Sequence, residues 1–332
     1  KTAESEERMS MTMKVQNISI VIPVYQGEGS IEALVGDISS YFEPATSAEG
    51  QAFVVSEVLL VHDCGPDRSD VAIRRLVEKH SQIKPIWLTK NFGQHAATLA
   101  GMSSATGEWI VTIDEDGQHD PADIGSLLDC ALGQNLQVVY AQPVNTPPHG
   151  YIRNLTSRLS KRIGRLMMGH DAVEYFHSYR IVQGEIARSL AAYCGYGVYL
   201  DVGLLWIAGR VGQCPVNVRA EEGRASGYTY SRLLAHFWTM LLTTGTRPLR
   251  LITLLGFFSV AIALFIGAYA LYEKMTGNVQ VQGWASLVIV VSFFSGCILV
   301  SLGMIAEYLA VSMGIAMGKP LYVIGTRSSR SQ

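Results

Sequence analysis

The chain of 332 residues carries 26 Lys+Arg against 28 Asp+Glu, is 48% hydrophobic and only 16% charged, and has a mean hydropathy of +0.21. That length allows about two domains and an ample buried core. The composition excludes a disordered chain, a nucleic-acid binder driven by bulk positive charge, and a small disulfide scaffold. Five scattered cysteines without a C-x-x-C pair read as reduced thiols rather than a zinc site.

The first 14 residues are polar and lack an apolar core, so a loose N-terminal tail is expected there, and no signal peptide. From residue 15 to about 229 the texture changes. Short β-branched runs at 18–24, 55–63, 108–114 and 136–142 alternate with helix-like stretches at 30–42, 68–80, 94–105, 121–133 and 152–168. Continuous apolar strands separated by helices predict an α/β fold: a Rossmann-like, mostly parallel sheet covered by helices on both faces. Ligands of such sheets sit beyond the carboxyl ends of the strands.

Within 230–250, Leu233, Leu234, Phe237, Trp238, Leu241 and Leu242 recur at helical spacing, which suits an amphipathic helix in a membrane interface; a buried core helix fits the same pattern. Two uncharged runs follow, 251–272 and 284–306, each near the ~20 residues that span a bilayer. Together they predict a transmembrane hairpin over 251–310 and a C-terminal tail over 311–332. Arg247 and Arg250 precede the first run, Lys319, Arg327 and Arg330 follow the second, and the loop between has only Lys274. The positive-inside rule then places both ends of the hairpin in the cytoplasm.

The strand ends carry the chemistry. The first ends in Pro23-Val24-Tyr25-Gln26-Gly27-Glu28, where Pro23 is expected to halt ladder pairing. The second ends in His62-Asp63-Cys64-Gly65-Pro66-Asp67; Asp63 suits a nucleobase N–H, and Asp67 suits a helix cap. The third gives Asp114-Glu115-Asp116-Gly117-Gln118-His119-Asp120, four acids within seven positions. Asp114 and Asp116 at i, i+2 can point the same way from an extended segment, and hard oxygen ligands at that spacing suit Mg²⁺ or Mn²⁺ shared with substrate phosphates. An exposed acidic turn, with Asp120 capping the helix that Pro121 opens, accounts for the same residues.

Taken in order, P-V-Y…E at 23–28, H-D-C-G-P-D at 62–67, N-F-G-Q-H at 91–95, D-E-D-G-Q-H at 114–119 and S-Y-R at 178–180 resemble a family-2 glycosyltransferase of GT-A fold. The two apolar runs narrow the resemblance to the polyprenyl-phosphate branch, which includes dolichyl-phosphate mannose synthase and bacterial undecaprenyl-phosphate sugar transferases of aminoarabinose and glucosyl type. It covers about residues 15–310. There are departures: Gln26-Gly27 replaces a common Asn-Glu, His62 stands where a second acid is common, Gly65 stands in place of Ser, Gly117 in place of Leu, and Asp120-Pro121 in place of Pro-Pro.

The resemblance implies a cytoplasmic catalytic domain over 15–229 on a multi-pass protein of the inner (plasma) membrane, a nucleotide-sugar donor, a polyprenyl-phosphate acceptor in the bilayer, and inverting transfer. Nucleic acid has no place in it; homo-oligomers are common among relatives. It assigns Asp114, Asp116 and Gln118 to the divalent ion, and Pro23, Tyr25, Glu28, Asp63 and Asp114 to the nucleotide. Arg153, Ser178, Arg180 and Arg224 fall to the acceptor phosphate, although Arg153 equally suits a helix surface and Arg224 a solvated loop. His95 reads as structural, His119 as a group near the diphosphate. Asp201 is the acid to test should a base be needed, though a helix cap fits it better. The other functions compatible with the sequence are a processive polysaccharide synthase of the same fold, which would be expected to carry a Q-x-x-R-W-type motif that is not found, and a non-catalytic nucleotide-binding membrane scaffold.

Overall fold

The structure, a computed structural model, describes residues 14–145, 174–195, 197–217, 219, 247–276 and 283–326. The expected helix at 152–168, Arg153, Arg224 and most of the expected interface helix therefore lie outside the described residues. In chain order the elements are β1 (Gln16–Val24), α1 (Ile31–Ser39), β2 (Ala45–Thr46), β3 (Ala52–His62), α2 (Ser69–Lys79), β4 (Ile83–Leu88), α3 (Gln94–Ser104) and β5 (Trp109–Thr112). Then come α4 (Ile124–Gly133), β6 (Val138–Pro143), β7 (Arg180–Gln183), α5 (Gly184–Tyr193), α6 (Leu200–Ile207), β8 (Val211–Val216), α7 (Arg247–Met275), α8 (Trp284–Ala316) and β9 (Ile324–Gly325).

The strands form one mixed sheet in the order β8-β6-β7-β5-β1-β3-β4-β9, with β2 paired to β3. The β5–β1–β3–β4 core is parallel, whereas β7 runs antiparallel to both β5 and β6. Ile18, Ile20, Val21, Ile22 and Val24 of β1 are fully buried, as are Val58, Leu60 and Val61 of β3, because helices cover both faces. On one face these strands pack with Leu34, Val35, Ile38, Ile73, Leu76, Leu127 and Leu128 of α1, α2 and α4. On the other they meet Leu99, Met102, Ala187, Leu190, Leu200 and Leu204 of α3, α5 and α6. The mostly parallel α/β class expected from the apolar runs is thus the observed one.

Pro23 corrects one expectation. β1 continues through it, with Pro23 opposite Val61 and Val24 opposite His62. The Val24 carbonyl accepts from Asp63 N on the β3 side, and the Val21 carbonyl accepts from Ile113 N on the β5 side. By this alternation the N–H that Pro23 lacks would face β5, which ends at Thr112, so no ladder bond is lost.

α7 and α8 leave large apolar side chains exposed, among them Phe257, Phe258, Leu264 and Phe265 on one, Ile298, Leu299 and Val300 on the other. Among the described residues one stretch, Phe293–Ala316, is long and apolar enough to cross a membrane; the apolar stretch of α7, Gly256–Tyr269, is shorter. The second helix runs through Glu307 to Ala316, past the expected end at 306, because one Glu followed by Ala, Val and Met residues does not stop a helix. After α8 the chain returns to the sheet: β9 pairs antiparallel with β4, and Thr89 N donates to Val323 O at 3.0 Å.

Candidate active site at the carboxyl ends of the strands

The parallel register brings the ends of β1, β3 and β5 to one rim. β7 starts at the same rim, since its antiparallel register sets Arg180 opposite Thr112. Four loops therefore meet there: 25–30, 63–68, 89–93 and 113–120.

Asp114 sits at the centre. Its Oδ1 accepts from Gln94 Nε2 at 2.7 Å and its Oδ2 from Ser178 Oγ at 2.6 Å, while its own N–H donates to His119 Nδ1 at 3.1 Å. Gln94 opens α3 and Ser178 precedes β7, so side chains from two separate elements aim this carboxylate. Asp116 is exposed and its Oδ1 accepts from Gln118 N at 3.0 Å. Gln118 in turn accepts at its carbonyl from Arg219 N at 2.9 Å. His119 is buried and stacked on Tyr179 at 4.9 Å, beside His177 at 5.3 Å. Burial pushes the His119 imidazole below its usual range against the pull of Asp114 and Asp116, and burial together with His119 brings His177 down to about 4. A neutral His119 suits the hydrogen bond that its Nδ1 accepts.

The chain turns at Glu115 and Asp116 rather than staying extended as expected, and Glu115 reaches the β1 loop. Its two oxygens accept from Tyr25 N and Gln26 N, each at 2.9 Å. A Cβ at Gly27 would lie 2.7 Å from Glu115 Oε2, so glycine there leaves room for this clamp. Glu28 and Asp67 form a reciprocal pair: Glu28 N donates to Asp67 Oδ2 at 2.9 Å, and Arg68 N donates to Glu28 Oε2 at 3.0 Å. Asp67 also accepts from Ser69, which bears out a structural reading for it. At Gly65 a Cβ would overlap the Tyr25 carbonyl oxygen; the loops approach so closely that the Ser common in relatives has no space here. His62, in place of a second acid, is buried against Trp87 with rings 5.4 Å apart.

Asp63 is buried and receives Phe92 N at 2.7 Å and Gly93 N at 2.8 Å, holding the N-F-G loop at the start of α3. Burial raises its pKa, with the two amides pulling the other way. Tyr25 is 41% exposed on the rim and open to a ring-stacking partner. A hollow of about 530 Å³ between α1 and α2, lined by Glu28, Arg68 and Arg75, flanks this loop, and its lining includes neither Asp114 nor Asp116.

Arg180 departs from its expected place on an acceptor phosphate. Only 4% exposed, it forms an ion pair with Asp201 of α6 and donates through Nε to Thr112 Oγ1 at 3.1 Å, with its guanidinium 5.7 Å from the Tyr140 ring centroid. β7 lies between β5 and β6 in the sheet, and α6 covers this position. Asp201, for which a helix cap was the better fit, is instead the counter-ion, and it also accepts from Tyr140 Oη at 2.9 Å. Ser178, assigned with Arg180, spends its hydroxyl on Asp114 and its carbonyl on Thr112 Oγ1 at 2.5 Å.

Arg219 was missed by sequence reasoning. It donates to Asp120 Oδ2 at 3.1 Å and Oδ1 at 2.8 Å and pairs with Asp37 at 2.5 Å, tying the acidic segment to α1 and to the chain beyond β8. Nothing local in the sequence marks it, since its partners lie 99 and 182 residues away. Glu115 was missed as well: the chain turns at that residue, and its partners Tyr25 and Gln26 lie 90 and 89 residues away.

The donor set suits a hard divalent ion: two carboxylates at i, i+2, one of them exposed and the other aimed by neutral donors. Among the described residues no group of three His, Cys, Asp or Glu side chains is arranged to hold a metal, so coordination here would be completed by substrate oxygens.

Comparison with known proteins gives a consistent picture. The chain is 26% identical over 317 residues to the undecaprenyl-phosphate 4-deoxy-4-formamido-L-arabinose transferases of Salmonella paratyphi B (strain ATCC BAA-1250 / SPB7) and Salmonella newport (strain SL254), covering 93% of each chain. Among solved structures it is similar to glucosyl-3-phosphoglycerate synthase from Mycobacterium tuberculosis in complex with Mn²⁺ and UDP-glucose (TM-score 0.49, 18% identity, 70% of this chain and 79% of that one). The sequence model of Glycosyl transferase family 2 matches residues 19–190, just over half of the chain, and takes in every rim loop from β1 to β7. This chain is a member of glycosyl transferase family 2, and thus a glycosyltransferase.

Proposed function

We propose that the protein transfers a sugar, with inversion, from a nucleotide-sugar donor to undecaprenyl phosphate or a similar polyprenyl phosphate. The observation that carries this reading is the aimed carboxylate of Asp114, with Asp116 two residues on, at the rim where Glu115 between them fastens the β1 loop. The full-length similarity to undecaprenyl-phosphate sugar transferases supports the acceptor class, and their bacterial source favours UDP as the donor nucleotide.

Tyr25, Glu28, Pro23 and Asp63 form the nucleotide side of the site. Asp63 acts there chiefly by holding the Phe92 and Gly93 amides, and Glu28 by fastening the two loops that face the base and ribose. Asp114 and Asp116, with Gln118 beside them, would hold Mg²⁺ or Mn²⁺, which when bound offsets charge on the departing diphosphate. The acceptor is a phosphate monoester with a second pKa near 6, already mostly dianionic at pH 7. It needs no strong base, only cationic groups that bring two anions together. Arg153 and Arg224 carry that role in this reading, while Ser178 and Arg180 act from below the rim. α7 and α8 anchor the catalytic domain on the cytoplasmic face of the inner membrane, where the headgroup of a lipid-linked phosphate resides.

The test incubates the full-length membrane protein with undecaprenyl phosphate, a panel of nucleotide sugars, and Mn²⁺ or Mg²⁺. Mass spectrometry of the lipid fraction should find one polyprenyl-phosphate monosaccharide. No lipid-linked sugar from any donor, by protein that is folded and membrane-bound, would overturn the reading.

A further inference from the structure

Arg180 is a buried cation paired with one carboxylate, with a second on the adjoining strand end. One is Asp201, its ion-pair partner. The other is Asp114, whose charge it feels from the adjoining strand, since Arg180 stands opposite Thr112 and Ser178 links directly to Asp114. An arginine this close to a metal-binding aspartate is a competitor for it: a fixed guanidinium would occupy the carboxylate that a divalent ion needs.

We propose that Asp201 is a positioning residue that sequesters Arg180, keeping the Asp114 carboxylate free of an internal cation and so available to a divalent ion. The geometry supports this at each link. The guanidinium is held on the α6 side by Asp201 and on the β5 side by Thr112 Oγ1, which itself donates to the Ser178 carbonyl. Tyr140, fully buried, donates to the same Asp201 oxygen and fixes it. Asp114 is thereby left with two neutral donors, Gln94 and Ser178, and among the described residues no Lys or Arg side chain forms an ion pair with it. Burying an ion pair beneath a site is costly, and an apolar pair would fill the same space. The cost is accounted for if Arg180 fastens Thr112, whose own bond to the Ser178 carbonyl does not depend on it, and must be kept from binding Asp114.

This inference rests on the glycosyltransferase reading and refines its metal site. Its test is a titration of the full-length protein in detergent with Mn²⁺ alone, followed by the electron paramagnetic resonance of the free ion, beside the Mn²⁺ dependence of transfer. Asp201→Asn keeps the shape and the Tyr140 bond but releases Arg180; it should weaken Mn²⁺ binding about tenfold while donor KM at saturating Mn²⁺ stays within about twofold. Adding Arg180→Met to Asp201→Asn removes the competitor and should bring Mn²⁺ binding back to within about threefold of the wild type. Arg180→Met alone, the safer variant if Asp201→Asn does not fold, should bind Mn²⁺ at least as tightly as the wild type. Equal Mn²⁺ binding by wild type and a folded Asp201→Asn, or a tenfold loss in Arg180→Met, would overturn the proposal and leave the glycosyltransferase reading standing. A wild type that neither binds Mn²⁺ nor transfers sugar would overturn both.

Discussion

Two carboxylate clusters lie along the same parallel strands and are treated in opposite ways. Toward the amino ends, Glu57 of β3 is buried, and every facing group donates to it: Ser19 Oγ at 2.6 Å, Thr106 N at 2.6 Å, Thr106 Oγ1 at 2.8 Å, and the Lys84 ammonium, which pairs with it. Its hydrogen bonds and its charge are both matched. At the carboxyl ends Asp114 accepts one bond on each oxygen, both from neutral groups, while Arg180 is engaged by Asp201 and Arg219 by Asp37 and Asp120. Hydrogen bonding without charge matching leaves an oriented anion, which is what a cation-binding site requires. Glu57 shows that this fold can match both the hydrogen bonds and the charge of a buried acid.

The largest expected effect breaks the rim and spares the amino end. Asp114→Asn keeps the side chain's size but removes the charge, so transfer should fall at least about a hundredfold with the unfolding midpoint nearly unchanged. A variant that kept full activity would place the cation site elsewhere. Gly65→Ala comes next. The added methyl would overlap the Tyr25 carbonyl, so the β1 loop must move away from the position that Glu115 fixes. Donor KM should rise about tenfold, with a smaller change in kcat, if this loop holds nucleotide as proposed rather than the reacting atoms.

Glu57 sharpens the comparison from the other side. Glu57→Ala strands the Ser19 and Thr106 donors and should cost about 2 kcal/mol in urea unfolding, with Mn²⁺ affinity unaltered. Burial pushes the Glu57 carboxyl upward, but the bonds from Lys84, Ser19 and Thr106 outweigh it and bring its pKa down from 4.5 to about 2. The folded state then holds fewer protons than the unfolded one across that interval. The stabilisation is complete above about pH 4.5 and is lost as pH falls toward about 2. Unfolding midpoints measured from pH 6 to 2.5 should fall more steeply in the wild type than in Glu57→Ala.

Much of this was legible in the chain. β1, β3, β5 and β6 announce themselves as apolar runs, the first three followed by acids, and Asp114, Asp116, Tyr25 and Glu28 all come to one rim. What was not legible depends on long-range register. β7 begins 37 residues after β6 ends, and nothing local in the chain tells that it will run antiparallel or that Arg180 will turn under α6 to Asp201 instead of outward. The S-Y-R motif marks the right strand end but not the direction of its arginine. β4 was passed over because Lys84 and Pro85 interrupt its apolar run, and β8 because Gly212, Gln213 and Pro215 do the same. β9, two residues long, has no pattern to detect; only the β4 edge makes it a strand.

That last strand gives the smallest and most local prediction. The β4 edge is closed by the chain that emerges from α8, and Tyr322 adds a side-chain bond from its Oη to Ser103 Oγ of α3, at 2.9 Å. α3 is the helix whose first turn carries Gln94, the partner of Asp114, so the same helix touches the rim at one end and the membrane-proximal return at the other. If the link only adds stability, as the Glu57 cluster does, Tyr322→Phe should lower the unfolding free energy by about 0.5–1 kcal/mol and leave Mn²⁺ binding and transfer within about twofold. The bond is solvent-exposed and the ring stays packed, which is why the effect is expected to be small. A larger fall in transfer than in stability would instead join the return strand to the rim through α3, and would extend the contrast between the two ends of the sheet to α7 and α8.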